Sequence, residues 1–327
     1  MEELLKVKDL KTYFYTYEGV VKALEGINLD IYKGESLGLV GETGCGKSVT
    51  ALSIMRLIQW PPGKIIDGEI ILDGKDLLKI PEEEMRKIRG SDISMIFQEP
   101  MSSLNPVFTI GSQISEAITL HQEVDKKEAE KRSLDMLDLV GMPDAEKVMK
   151  QYPHELSGGM QQRAMIAMAL SCKPKLLIAD EPTTALDVTV QAQILDLIQK
   201  VNKEIDSSML LITHDLGVVA QVCSRVAVMY AGYIVEIGTA KQIFKNPYHP
   251  YTKGLMHAIP KIHVETKRLE VIRGVVPNLI TPPSGCRFHP RCDHMMDVCK
   301  KKAPPTVKVE EGHYVACFLH GGGEVNV

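Results

Sequence analysis

The chain has 327 residues, 44% of them hydrophobic and 24% charged, the composition of an ordinary globular protein. At about 150 residues per domain this length suggests two domains. With 38 Lys and Arg against 42 Asp and Glu, the net charge of −4 argues against a nucleic-acid binder.

In chain order, residues 1 to about 80 read as strands and turns. INLDIYKGESLGLVG turns at Lys33-Gly34-Glu35 into the apolar run Ser36 to Val40, and GEIILDGKDL alternates like a strand until Gly74. From Pro81 to about Glu155, charges recur at helical spacing, as in EEEMRKIRG and DKKEAEKRSLDMLDLVG. Strand and helix then alternate. LLIAD reads as a buried parallel strand, VTVQAQILDLIQKVNKEI as a helix and SMLLITHD as another strand. VAVMYAGYIVEIG reads as a hairpin turning at Ala231-Gly232, and Pro and His become frequent after about Lys245. The expected fold class is α/β: residues 1–245 form one domain with a helical insertion over about 85–157, and 246–327 form a C-terminal extension. No apolar run reaches the roughly 18 residues that span a bilayer. MEELLKVKDL lacks the apolar core of a signal peptide, so a cytosolic chain with reduced thiols is expected.

Three stretches carry phosphate chemistry. GETGCGKS, Gly41 to Ser48, lies between an apolar strand and a helical stretch, the context of a phosphate-binding loop. Gly41, Gly44 and Gly46 let backbone N–H groups turn toward a phosphate. Lys47 would reach the β- and γ-phosphates and Ser48 would hold Mg²⁺, while Glu42, Thr43, Cys45 and Val49 complete the loop. Cys45 brings a thiol to this loop, so alkylation is expected to inhibit and nucleotide to protect. In LLIADEP, Asp180 ends a buried strand, where it can bind Mg²⁺ through water, and Glu181 follows as the residue to polarise an attacking water. In LSGGMQQR, Ser157, Gly158 and Gly159 open a helix, a second anion-binding helix end. Two such ends more than a hundred residues apart suit a head-to-tail dimer, in which this motif closes on the γ-phosphate held by the other subunit.

GETGCGKS, LSGGMQQR, LLIADEP, ALD and ITHD, in this order, resemble the ATP-binding subunits of ABC transporters over residues 1 to about 245. The resemblance implies a P-loop ATPase core with an antiparallel β part. It implies that Gln98 touches Mg²⁺ and senses membrane subunits, that Asp187 contacts the opposite subunit, and that His214 bridges the γ-phosphate and Glu181. It also implies an aromatic residue stacked on adenine, for which Phe14 fits best and Tyr13 next. QIFKNPYHPYTKGLMHAIP with VIRGVVPNL is similar to the C-terminal region of dipeptide and oligopeptide importer ATPases, with nickel importers as near relatives. The partners so implied are a second ATPase subunit, two membrane permeases and, indirectly, an extracytoplasmic peptide-binding protein, on the cytoplasmic face of a bacterial membrane. A soluble ABC ATPase acting on DNA or the ribosome usually carries two cassettes or a long coiled coil, and neither is present.

Four of the seven cysteines, Cys286, Cys292, Cys299 and Cys317, gather near the end at spacing C-x5-C-x6-C-x17-C. In a reducing compartment this favours metal over disulfide. The spacing lacks the close pairs usual for zinc, and iron–sulfur clusters accept looser spacing. The family resemblance implies a [4Fe–4S] cluster, with Zn²⁺ as the alternative, and His289 and His294 read as loop histidines. Metal could hold folded an extension with little core of its own.

Overall fold

A computed structural model describes residues 2–99, 103–183, 188–258 and 272–321. Two compact units emerge, and neither follows a simple cut of the chain. The first holds Tyr32–Glu35 and Lys79–Leu211; the second holds Glu3–Ile31, Ser36–Leu78 and Ile212 onward.

In the first unit, strands β6 (Ile93–Ile96) and β7 (Leu176–Asp180) run parallel, Ile93 opposite Leu176 and Ile96 opposite Ala179, and β8 (Ser208–Ile212) lies beside β7. All three are buried along their whole length, as runs such as LLIAD require when both faces are covered. The charged stretch forms helices α2 (Glu82–Ile88), α3 (Ile110–His121), α4 (Lys126–Leu139) and α5 (Ala145–Val148), of which α3 and α4 start at side-chain caps, Thr109 and Asp125. The Asp125 side chain accepts from the Glu128 N–H at 2.8 Å, capping α4. Helix α6 (Gly158–Leu170) follows Ser157, and α7 (Val188–Glu204) precedes β8.

In the second unit, β1 (Glu3–Thr16) pairs antiparallel with β4 (Gly63–Leu72), in the order β2 (Gly19–Tyr32), β1, β4, β5 (Lys75–Asp76). A second ladder holds β3 (Ser36–Val40), which feeds α1 (Lys47–Ile54), and β9 (Arg225–Tyr230) parallel to it. The hairpin from β9 to β10 (Tyr233–Thr239) turns at Ala231 (φ 46°) and Gly232 (φ 86°), the left-handed pair that a tight two-residue turn demands. Helices α8 (Leu216–Val222), α9 (Ala240–Lys245) and α10 (Pro250–His257) complete it. The last residues add strands β11 (Thr306–Glu310) and β12 (His313–Ala316), β12 pairing antiparallel with β10.

This last pairing ties residues beyond 245 to strands that precede it. The described residues beyond 245 belong to the second unit, where β12 extends the ladder of β9 and β10 by pairing along an edge that β10 would otherwise leave open.

Candidate nucleotide site

The phosphate loop belongs to the second unit. Gly41 holds φ 155°, and a Cβ there would sit 2.2 Å from the Met229 carbonyl oxygen. Gly46 holds φ 111°, with Met229 Cε 2.6 Å from the same position. Only glycine allows the loop to pass this close to β9. Thr43, Gly44 and Ser48 are exposed, and Glu42 and Val49 are half-buried. Lys47 is buried, its ammonium donating to the carbonyls of Gly41 (2.8 Å) and Glu42 (3.2 Å). Gly46 caps α1, and its carbonyl accepts from the Thr50 hydroxyl at 3.0 Å.

Cys45 differs from its sequence-based expectation. It is fully buried, and burial pushes its thiol pKa up. A reagent reaches it only when the loop opens, and the reactive thiolate is scarce, so ready alkylation beside the phosphates is not expected.

In the first unit, β7 ends in buried Asp180. The next residue, Glu181, adopts φ 46°, a left-handed conformation unusual for glutamate. Its carboxylate accepts from Gln98 Nε2 at 3.2 Å, so the glutamine after β6 and the carboxylate after β7 meet at the ends of adjacent parallel strands. Ser157, exposed, caps α6 by accepting from the Met160 N–H at 3.4 Å; Gly158 is exposed and Gly159 half-buried. Gln162 of α6 donates to the Pro182 carbonyl at 2.5 Å, tying the Ser-Gly-Gly helix to the segment just beyond Glu181. Asp187 lies outside the described residues.

His214, in the second unit, is exposed beyond β8, and Asp215 caps α8 by accepting from Gly217 N–H at 2.8 Å. Phe14 is half-buried on β1, opposite Gly63. Tyr13 donates to Glu25 at 2.5 Å, and burial together with that carboxylate pushes its hydroxyl up to about 12. Sequence reading did not single out Tyr15 and Trp60, an exposed edge-to-face pair 5.8 Å apart.

All four C-terminal cysteines line one pocket, with His289 and His294. Among the described residues, however, no group of three or more His, Cys, Asp or Glu is placed to hold a metal ion. The expected metal-binding extension is thus present as a converging thiol pocket and not as a formed site. Burial pushes the Cys286 thiol up to about 11 and raises those of Cys292 and Cys317. His289 Nδ1 donates to the Cys286 carbonyl at 2.9 Å, a loop role.

Sequence reading missed the two arginines of GCRFHPRC. Arg287, almost fully buried, donates to Glu25 at 3.2 Å and stacks on Tyr233. Arg291 forms a two-pronged ion pair with Glu42 of the phosphate loop, at 2.6 and 3.0 Å. The Glu42 N–H donates to the hydroxyl of buried Tyr251 at 2.8 Å. The only signal was the placing of these arginines beside cysteines, which says nothing of where they reach.

Comparison with known proteins adds the following. Residues 24–184 match the family described as ABC transporter, and residues 235–299 match the oligopeptide/dipeptide transporter C-terminal region. The dipeptide transport ATP-binding protein DppD of Bacillus subtilis is 53% identical over 319 residues, 98% of this chain and 95% of DppD. The oligopeptide transport ATP-binding protein AppD of the same organism is 53% identical over 98% of each chain. Among solved structures, the dimeric post-hydrolysis state of the ATP-binding cassette MJ0796 bound to ADP and Pi is similar, with TM-score 0.65 and 28% identity over 72% of this chain and 98% of that one.

Proposed function

This chain belongs to the ATP-binding subunits of ABC transporters, in the group that carries the oligopeptide/dipeptide C-terminal region, and on that premise we propose that it couples ATP hydrolysis to the import of dipeptides or oligopeptides. The observation that carries the reading is the identity of 53% with peptide-transport ATPases along nearly the whole chain, extension included. The nickel-importer and nucleic-acid readings gain no such support.

In the proposed cycle, Lys47 and the N-terminal end of α1 hold the β- and γ-phosphates. Ser48, Gln98 and Asp180 would hold Mg²⁺, which neutralises phosphate charge when bound. Glu181 accepts a proton from the attacking water, and His214 steadies the γ-phosphate. Phe14 stacks on adenine. Ser157, Gly158 and Gly159 close on the nucleotide of a second ATPase subunit, and Asp187 contacts that subunit. Gln98 passes the change to membrane permeases fed by an extracytoplasmic peptide-binding protein. No helix among the described residues is long and apolar enough to cross a membrane, in keeping with a subunit seated on the cytoplasmic face.

The test is reconstitution with permeases and binding protein in liposomes. ATP hydrolysis should rise with added peptide and not with nickel. Peptide-independent hydrolysis with no uptake overturns the peptide assignment.

For the four cysteines the reading is a [4Fe–4S] cluster, which when bound would supply a covalent staple for the extension, with Zn²⁺ as the alternative. The shared pocket supports it. On anaerobically purified protein, about four irons with sulfide per chain are expected. One zinc and no colour overturns the cluster.

A further inference from the structure

We propose that Arg291 is a positioning residue for ATP: it neutralises the Glu42 carboxylate and holds it aside from the path of the triphosphate, so that the cysteine-bearing segment sets nucleotide affinity. The proposal deepens the ATPase reading and rests on it.

A phosphate loop must receive a strongly anionic ligand, yet this one carries a carboxylate between Gly41 and Thr43. Left alone, Glu42 would repel the phosphates it borders. Arg291 meets it with two charge-assisted hydrogen bonds, at 2.6 and 3.0 Å, the geometry in which a guanidinium fixes a carboxylate's direction as well as its charge. The guanidinium side is 5% exposed and the carboxylate 30%, so solvent screens this pair less than a surface one.

Arg291 is itself held firmly. Its Nε donates to the Arg273 carbonyl at 2.8 Å, and its charge lies 5.7 Å from the centre of the Tyr230 ring. Phe288, three residues earlier, packs edge-on against Tyr230 at 5.1 Å and beside Tyr251 at 5.4 Å. Tyr251 in turn accepts from the Glu42 N–H. Both the backbone and the side chain of Glu42 are therefore fixed by residues from beyond β10. Arg291 directly precedes Cys292 and Phe288 lies two residues after Cys286, so the order of the thiol pocket and the order of the phosphate loop share one anchor.

The experiment measures binding of a fluorescent ATP analogue with Mg²⁺, and steady-state hydrolysis, for the full chain and three variants, with melting temperatures alongside. Arg291→Ala should bind ATP about tenfold more weakly, within the usual range for coupled sites. Its KM should rise by the same factor while kcat holds. Glu42→Gln, which leaves Arg291 unopposed, should bind ATP more tightly than the wild type. The double variant should recover most of the affinity lost in Arg291→Ala. A double variant as weak as Arg291→Ala, or a weakened Glu42→Gln, overturns the proposal and leaves Arg291 a packing residue. Arg291→Ala with wild-type affinity overturns it as well, while the ATPase reading stands. Wild-type protein that binds no ATP overturns both.

Discussion

Glu181 holds φ 46° immediately after a fully buried strand, a backbone state that costs a non-glycine residue on the order of 1–3 kcal/mol. Such strain persists where the surroundings impose it, and here it aims a carboxylate at Gln98 just past Asp180. Two variants separate strain from chemistry. Glu181→Gln keeps the shape and the strain but removes the base, so ATP binding should persist while hydrolysis falls by at least about a hundredfold. Glu181→Gly also removes the base but relaxes the backbone, so its melting temperature should exceed that of Glu181→Gln by an amount worth about 1 kcal/mol. Calorimetry and a phosphate-release assay check both. Normal turnover in Glu181→Gln rules out the water-activating role, and equal melting of the two variants rules out stored strain.

The phosphate loop is the element whose form the residues specify most tightly. Gly41 lies where a Cβ would meet a backbone oxygen at 2.2 Å, and a backbone oxygen cannot swing aside as a side chain does. Gly41→Ala should therefore displace the loop from β9 and weaken ATP binding by at least about tenfold, a loss of about 1.4 kcal/mol or more. Titration of a fluorescent nucleotide against the variant reads this directly, and unaltered affinity would mean the loop adapts. This element was fully legible in sequence, because its glycines, lysine and flanking apolar run sit side by side in the chain. The hairpin at Ala231-Gly232 and strand LLIAD were legible for the same reason. The pair β11 and β12 was not: VKV and YVA are too short to announce strands, and they form only because β10 offers an unpaired edge.

At the scale of the whole molecule, what the sequence hides is contact between distant residues. The Arg291–Glu42 pair spans 249 positions, and the buried trio Glu236, His249 and His313 is equally silent in the sequence. Glu236 lies on β10 and accepts from the Tyr248 and His249 N–H groups at 2.7 and 2.9 Å and from His313 Nε2 of β12 at 2.8 Å. Burial by itself would raise its pKa, but these donors outweigh it and hold the carboxyl below its usual value. His249 is buried, and its Nδ1 accepts from the Tyr251 N–H at 3.0 Å, so the neutral ring is the one that fits. Burial lowers its pKa to about 4, with Glu236 opposing and His320 assisting. A histidine lowered in the folded state contributes fully above its ordinary 6.5, where both states are neutral. As pH falls from 6.5 toward 4, the unfolded chain takes up a proton that the folded chain refuses, and stability drops by up to about 3 kcal/mol. Glu236 adds its own loss only below its ordinary 4.5. Thermal melts across this range should show a fall that starts near pH 6.5, well before the carboxylates titrate. His249→Asn keeps an acceptor for the Tyr251 N–H but cannot be protonated, so it should melt lower at neutral pH yet lose the slope between pH 6.5 and 4.5. If the variant kept that slope, another group would have to carry the proton uptake, and His249 would be a cap and nothing more.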